Sequence, residues 1–218
     1  MRDASRALRW TLSFLLLQAL TVAVTSAGTV YVNKNASGAT RDGASWASAF
    51  HSVQEGLNAA VSGDEVWVAA SAPASAAYVE RITLVNGVAL YGGFDGTETA
   101  RSDRDAKANV TILDGGKGGS VVSVPVSIAV TATIDGFTIR NGYATSGAGV
   151  VVLGKSVIVN NVITGNQATG DGGGIRAWGG VVSITNNVIS GNSAVNGGGI
   201  HVDGSNYTIT NNLIANNS

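Results

Sequence analysis

Apolar and polar residues alternate over short stretches in the second half of the chain, and turn-forming Asn and Gly residues separate these stretches. Alternation with a period of two residues is the pattern of β-strands. One such stretch recurs with a nearly constant spacing of roughly 25 residues, the sign of an internal repeat. Its copies are Asp-Gly-Phe-Thr-Ile-Arg-Asn at 135–141, Asn-Asn-Val-Ile-Thr-Gly-Asn at 160–166, Asn-Asn-Val-Ile-Ser-Gly-Asn at 186–192 and Asn-Asn-Leu-Ile-Ala-Asn-Asn at 211–217.

A second marker, a glycine-rich tetrapeptide, keeps the same period. It is Gly-Ala-Gly-Val at 147–150 and Gly-Gly-Gly-Ile at 172–175 and 197–200. Two markers that hold one period indicate a repeat architecture, in which every repeat is one structural unit. Units of this kind bury their apolar faces by stacking on their neighbours, so the pattern predicts a solenoid.

Each repeat contains three short candidate strands. In one repeat we expect them at Ser183–Thr185, Val188–Ser190 and Ile200–Val202. Because no segment between them is long enough for a crossover helix, parallel pairing has to join equivalent strands of successive repeats, about 4.8 Å apart. The sequence therefore predicts an all-β fold, a single-stranded right-handed parallel β-helix with three strands in each coil of about 25 residues.

Asparagine recurs at one turn of the coil. It tolerates the left-handed backbone of tight turns, and its amide can bond the equivalent amide of the next coil. We expect Asn161, Asn187 and Asn212 to form one column within a stack of parallel strands that covers residues 121–218. Val and Ile at the alternate positions then fill the core.

The beginning of the chain departs from the repeat. A strand at Thr29–Val32 and a loop rich in Gly and Asn precede a candidate helix with Ser45 as its N-cap. Its apolar residues have spacings of 4, 3, 4 and 4 and share one helical face. They are Trp46, Phe50, Val53, Leu57 and Val61. Such a helix would cover the core and the strand edges of the first coil. A charged segment at 92–109 predicts a long surface loop inserted in an early coil.

Residues 1–27 have the pattern of a secretory signal peptide. Arg2, Arg6 and Arg9 precede an apolar stretch, and small residues lead to an expected cleavage after Ala27. The apolar stretch is shorter than the roughly 18 residues that favour a spanning helix. We therefore predict a mature chain that has no membrane span and that is secreted or held on the outer cell surface.

Two further regions follow the signal peptide. An N-terminal cap of strand, amphipathic helix and strand is predicted at 28–80, and the parallel β-helix at 81–218. Because Ser218 falls within a repeat, we expect the solenoid to continue beyond it. Only 12% of the 218 residues are charged and the formal net charge is −1, so no basic stripe supports a nucleic-acid partner. The chain has no Cys, so stacked coils have to provide stability without disulfides.

Several motifs together resemble the opening of secreted bacterial proteins of the pectin-lyase-like right-handed β-helix superfamily. They are Gly-Ala-Ser-Trp-Ala-Ser-Ala-Phe at 43–50, Gly-Asp-Glu-Val-Trp-Val at 63–68, Val-Ala-Leu-Tyr-Gly-Gly-Phe at 88–94 and Asn-Val-Thr-Ile-Leu-Asp-Gly at 109–115. The units at 172–175 and 163–166 are similar to the repeats of chlamydial polymorphic outer-membrane adhesins. The resemblance implies a β-helix over nearly all of 28–218, and a lyase, hydrolase, epimerase or adhesin function.

The sequence contains no cluster of the kind that the resemblance implies for enzymes, such as close Asp sets with a His and a basic pair. The acidic residues of the repeats fall one to a coil, at Asp114, Asp135, Asp171 and Asp203. Catalytic residues therefore stay unassigned. The loop that begins at Asn33 opens like a calcium loop, but its twelfth position is Ala44 instead of Glu. We expect no metal and no cofactor.

The strands that follow the glycine triplets carry a candidate substrate-binding patch. Alternation places Arg176 and Trp178 on the outer face of one strand, with His201 and Asp203 beside them on the next. Aromatic rings cover the apolar faces of sugars, while charged groups bond hydroxyls or uronate carboxylates. The alternative interpretation is an Arg–Asp surface pair beside a half-exposed Trp, contributing about 0–1 kcal/mol.

Three functions are compatible with these features. The first is an exported binding or adhesive solenoid directed at polysaccharide or a host or cell-surface glycan. The second is a polysaccharide lyase or glycoside hydrolase of the pectin-lyase-like type, and the third is a structural stalk. The regular short repeats and the scattered acidic residues favour the first.

Overall fold

The computed structural model describes residues 27–70, 76–204 and 206–218. It confirms the predicted fold class, because the chain forms a parallel β-solenoid of about six turns with little helix. The predicted signal peptide, apart from Ala27, lies outside the described residues. Within the described ranges, no helix combines the length and the apolar character needed to cross a bilayer.

The elements are short, as expected when a turn follows every few residues. Helix α1 spans Val53–Ala59, and a 3₁₀ turn spans Arg101–Asp103. The strands are β1 (Thr29–Val32), β2 (Glu65–Ala69), β3 (Tyr78–Val79), β4 (Ile82–Thr83), β5 (Ala89–Phe94), β6 (Thr111–Asp114), β7 (Val122–Val124), β8 (Ala132–Asp135), β9 (Phe137–Arg140), β10 (Tyr143–Ala144), β11 (Val150–Val152), β12 (Ser156–Val159), β13 (Val162–Thr164), β14 (Gln167–Ala168), β15 (Ile175–Ala177), β16 (Val182–Thr185), β17 (Val188–Ser190), β18 (Ile200–Val202), β19 (Tyr207–Thr210) and β20 (Leu213–Ala215).

Three parallel sheets run along the solenoid. Sheet 1 has the order β1-β2-β5-β8-β12-β16-β19, sheet 2 the order β3-β6-β9-β13-β17-β20, and sheet 3 the order β4-β7-β11-β15-β18. A small fourth sheet pairs β10 with β14. From β2 onward the chain passes from sheet 1 to sheet 2 to sheet 3 and then repeats, so each coil adds one strand to each of the three sheets.

In-register stacking builds the core from identical positions. On sheet 1, Ile134, Ile158 and Ile184 are consecutive partners, and all three are fully buried. On sheet 2, Ile163 and Ile189 are register partners and are also fully buried. Because the side-chain period of a strand is two residues, a slip of one residue would expose such a column, and the apolar pattern therefore fixes the register.

The turn between sheets 1 and 2 uses a pair of asparagines in the last three coils, at 160–161, 186–187 and 211–212. The first of the pair has a left-handed backbone, with φ of 54° at Asn160 and 59° at Asn186. The second is buried and bonds the next coil, since the side-chain oxygen of Asn187 accepts from the backbone N–H of Asn161 at 2.9 Å and Asn187 donates in turn to Asn212. The predicted asparagine column is confirmed.

A second asparagine ladder follows sheet 2, where sequence analysis identified only one. Asn166 donates to the side-chain oxygen of Asn192, and Asn192 donates to that of Asn217. The Asn192 amide also donates at 2.8 Å to the carbonyl of Ile163 in the preceding coil. Asn166 and Asn192 are buried, yet their amides are hydrogen-bonded on both sides, which removes the cost of burying a polar group.

The glycine triplet allows the closest approach of neighbouring coils. A Cβ atom on Gly174 would lie 2.4 Å from the carbonyl oxygen of Gly199, closer than packing permits. Gly172 has a φ of 66°, in the left-handed region that glycine adopts readily. The glycine repeat therefore marks a place where backbone packs directly on backbone.

Helix α1 packs on the strands β1, β2 and β4, and it is shorter than the sequence pattern indicated. It begins at Val53 with Ser52 as the N-cap, and a capping box joins Ser52 to Glu55. The predicted N-cap Ser45 is therefore wrong. Phe50 pairs with Val32 in an isolated β-bridge, which holds the preceding segment in an extended form that cannot join the helix.

A carboxylate from the first coil fixes the start of the helix. The two oxygens of Glu80 accept from the Ser52 hydroxyl and from the backbone N–H groups of Val53 and Gln54, at 2.8–3.1 Å. Glu80 therefore occupies donors that have no partner within the helix. Sequence analysis gave no signal for this contact, because it joins two segments that are distant in the sequence and that no repeat relates.

The charged insertion lies between β5 and β6, in an early coil as predicted, and it starts after Phe94. Arg104 donates to the side chain of Asp135 at 2.7 Å and to the backbone oxygen of Gly92 at 3.0 Å. The Trp46 indole donates to the carbonyl of Glu98 at 2.9 Å. These contacts anchor residues 95–109 against the outer surface of sheet 1.

Loss of one asparagine side chain from the ladder should destabilise the solenoid. We expect Asn187→Ala to lower the free energy of unfolding by about 2–4 kcal/mol, because it leaves buried backbone groups of Asn161 and Ile158 without partners. Asn186→Gly is the matched control, because glycine tolerates its left-handed backbone; its effect should stay within about 0.5 kcal/mol. Chemical unfolding followed by circular dichroism measures both, and equal losses would contradict a role for the ladder.

Removal of a buried side chain from helix α1 should also destabilise the fold. Leu57 is fully buried, so Leu57→Ala should lower the free energy of unfolding by about 2–5 kcal/mol. Val61, which the sequence pattern placed on the same helical face, is 59% exposed, so Val61→Ala should cost less than about 0.5 kcal/mol. Thermal unfolding of the two variants compares these values, and a Leu57→Ala protein as stable as wild type would show that α1 does not seal the core.

Candidate functional site

The outer face of sheet 3 brings together the four residues that sequence analysis selected. Arg176 on β15 is the direct register partner of His201 on β18. The backbone N–H of Asp203 donates to the carbonyl of Ala177 at 2.9 Å, which continues the pairing and places Asp203 beside Trp178. These side chains therefore meet because each lies one repeat away from its neighbour in the sequence.

Arg176 lies on this face but is not open to solvent. Its side chain is 9% exposed, and its guanidinium hydrogen-bonds the Asp203 carboxylate. The guanidinium carbon also lies 4.8 Å from the centre of the Trp178 ring, a cation–π contact. The sequence suggested two roles for this guanidinium, binding of ligand hydroxyls or carboxylates and an Arg–Asp pair beside a half-exposed Trp, and the structure contains that pair. Nε of Arg176 is buried and has no hydrogen-bond partner among the described residues.

Asp171 completes the cluster and was not among the selected residues. Its carboxylate lies 3.7 Å from Nε of Arg176 and 3.5 Å from Nδ1 of His201, and it accepts from the Asn196 amide at 2.9 Å. Asp171 precedes the left-handed Gly172, whose turn brings it back against β15. Its position directly before a glycine triplet, one repeat ahead of Asn196, was the signal in the sequence.

The cluster is acidic on balance. The carboxylate of Asp203 is 58% exposed, and its second contact is with Nε2 of His201 at 3.4 Å. The hydrogen bond from Arg176 lowers the pKa of the Asp203 carboxyl below its ordinary value, and the positive charge of Arg176 adds to this effect. Two carboxyl side chains therefore lie beside one guanidinium, and the ionised Asp203 carboxylate remains a hydrogen-bond acceptor at the surface.

Trp178 is the apolar part of the site. Its side chain is 44% exposed, an unusual state for a large aromatic residue, and the guanidinium of Arg176 holds it in place. Leu153 precedes it at the equivalent position of the previous coil, since Leu153 and Trp178 both donate backbone N–H groups to sheet 3 carbonyls. An aromatic surface bordered by carboxylates can contact the C–H face of a sugar and accept hydrogen bonds from its hydroxyls.

Within the described ranges there is no group of three or more His, Cys, Asp and Glu side chains arranged to hold a metal ion. Comparison of the chain with protein-family models, with curated proteins and with solved structures found no match.

The ion pair at the site predicts a measurable titration. Because the folded-state pKa of Asp203 is lowered, its stabilising effect is present above the ordinary pKa of about 3.9 and is lost as the pH falls through the lowered pKa. In Arg176→Met the pKa of Asp203 should rise towards about 3.9. NMR titration of the carboxyl carbons tests this, with Asp105 as the internal control, since backbone N–H groups of the insertion lower its pKa. An unchanged pKa of Asp203 in the variant would contradict the pairing.

Proposed function

We propose that this protein is a carbohydrate-binding solenoid that holds a neutral polysaccharide on the outer face of sheet 3. The single observation that carries this proposal is the half-exposed Trp178 ring beside the ionised, exposed carboxylate of Asp203. An apolar face with hydrogen-bond acceptors at its edge suits the C–H face and the hydroxyls of a sugar ring.

The charge of the cluster favours neutral over acidic polymers. A uronate carboxylate would need a free cation, but the Arg176 guanidinium is buried and bonded to Asp203. Asp171 and Asp203 would repel it at short distance. Hydroxyl groups of a neutral sugar can instead donate to these two carboxylates, which gives charge-assisted hydrogen bonds of the stronger kind.

The same electrostatics argue against Asp203 as the general acid of glycoside cleavage. A general acid works best when its pKa lies near the operating pH, which for a carboxyl group requires a raised value. The pKa of Asp203 is shifted in the opposite direction, because Arg176 stabilises its charged form. Asp203 is therefore suited to accept hydrogen bonds and poorly suited to deliver a proton at neutral pH.

The wider biological setting is part of this proposal. Export by a signal peptide would place the solenoid outside the cell or on its surface, where polysaccharides and host glycans are accessible. A relationship to the pectin-lyase-like β-helix proteins, or to chlamydial surface adhesins, agrees with such a role, and the parallel β-solenoid supports it at the level of fold alone.

The test uses immobilised polysaccharides, neutral (glucans, xylans and mannans) and acidic (polygalacturonate and alginate). We expect the wild-type protein to bind at least one neutral polymer, and Trp178→Ala to reduce the affinity about tenfold or more because the apolar contact is lost. Trp178→Phe keeps an aromatic face and should retain part of the binding. The unfolding midpoint of each variant confirms that the fold is intact.

Two results would contradict the proposal. Wild-type protein that binds none of the neutral polymers in a Trp178-dependent manner would favour the structural stalk instead. Preference for polygalacturonate or alginate would contradict the charge argument, because it requires a free cation at the site.

A further inference from the structure

An open groove of about 660 Å³ lies at the corner between sheets 1 and 2, and we name it the axial groove. Its floor consists of turn and strand residues from successive coils, Asn160, Val162, Asn186 and Val188, and its wall is the insertion at 104–107. Each coil passes from sheet 1 through this corner to sheet 2 before it reaches sheet 3. The axial groove therefore lies across the core from the Trp178 site.

Two coils contribute an asparagine and a valine to the floor, and the Asn160 amide already donates to the Asp135 carboxylate at 3.0 Å. Asn160 and Asn186 are exposed at the left-handed turn position, and Val162 and Val188 are register partners on the outer face of sheet 2. Val162 is 38% exposed. In the described part of the chain the side-chain amide of Asn186 makes no intramolecular hydrogen bond. Asn186 thus presents one free amide beside the aliphatic surface of Val162 and Val188, which lie about 4.8 Å apart.

The wall is held in position before any ligand arrives. The hydrogen bond from Arg104 to Asp135 ties it to sheet 1, and the Asp105 carboxylate accepts from the backbone N–H groups of Lys107 and Ala108 at 2.9 and 3.1 Å. Both cations of the wall have acidic neighbours, Asp135 for Arg104 and Asp105 for Lys107. Wall and floor together therefore carry no excess charge.

We propose that the axial groove binds one strand of a neutral, hydroxyl-rich polymer, a polysaccharide that runs along the solenoid axis. Its hydroxyls would bond the Asn186 amide and the Lys107 ammonium, and its C–H faces would rest on Val162 and Val188. Balanced charge gives no attraction for a polyanion. An extended peptide cannot add a strand here, because β13 and β17 are already paired on both sides.

This site does not depend on Trp178. If both sites operate, the solenoid carries two glycan sites on opposite faces and can join two polymer strands, which single-site binding does not provide. Such bridging raises the avidity for an insoluble polymer without any new contact within either site.

The experiment is isothermal titration of the purified protein with soluble neutral hexasaccharides (gluco-, xylo- and manno-) and, as the charged probe, oligogalacturonate. The groove variants are Lys107→Ala/Asn186→Gly, which removes two polar contacts, and Val188→Phe, which fills the floor. The matched control is Asn211→Gly, at the same left-handed turn position but outside the groove lining. Trp178→Ala removes the aromatic ring of the proposed sheet 3 site. Unfolding curves of all variants confirm that the fold is intact.

We expect two classes of sites in the wild-type protein, one of which weakens about fivefold to tenfold in both groove variants and is unchanged in Asn211→Gly and Trp178→Ala. If the groove variants lose one class of binding sites while Trp178→Ala binds as wild type does, the result supports binding in the axial groove and refutes the sheet 3 site. Groove variants that bind as wild type does, or Trp178→Ala that abolishes all binding, would overturn the groove. Binding of oligogalacturonate alone would overturn it as well, and absence of neutral binding would overturn both sites.

Discussion

The two asparagine ladders are the interaction on which the rest of this structure depends. A parallel solenoid has to stack every coil on the next with the same register, and its turns bury backbone groups that no strand can satisfy. Asn161, Asn187 and Asn212 satisfy one set, and Asn166, Asn192 and Asn217 satisfy the other. Because the amides of Asn161, Asn187, Asn166 and Asn192 each bond both the coil before and the coil after, the ladders couple the coils from β8 to β20. The buried Ile columns add the apolar burial that drives folding.

The same stacking rule creates the proposed binding surfaces. Side chains that lie one repeat apart in the sequence become neighbours in space, so a single substitution in each of two coils is enough to build a cluster on an outer face. Arg176 and His201 meet in this way on sheet 3, and Val162 and Val188 meet on sheet 2. The ladders fix the turns on either side of sheet 2 by hydrogen bonds, and a backbone that is ordered before binding lowers the ordering cost. The outer face can therefore vary while the inner face and the turns keep the fold.

Sequence reasoning was effective where the repeat itself carries the information. The period predicted the parallel fold, the asparagine column and the neighbours Arg176 and His201. It failed where the contact joins segments that no period relates. The Glu80 carboxylate at the start of α1 is one example, and the Phe50 bridge that shortens the helix is another. Asp171 was missed for a different reason, since its side chain reaches the site through a left-handed turn instead of a strand. The burial of Arg176 was not predicted. It results from contacts with two carboxylates and an aromatic ring, and no local sequence pattern indicates their combined effect.

The most direct test of the account is the register of neighbouring coils. The chain has no Cys, so a pair of introduced cysteines reports on one contact alone. Val162 and Val188 are register partners on an outer face, about 4.8 Å apart between Cα atoms, within the range of an unstrained disulfide. Val162→Cys/Val188→Cys should form an intramolecular disulfide on mild oxidation, detected by mass spectrometry of the peptides, while Val162→Cys/Ser190→Cys should stay largely reduced. Preferential cross-linking of the 162–190 pair, or equal cross-linking of both, would contradict the stacking on which both proposed sites depend.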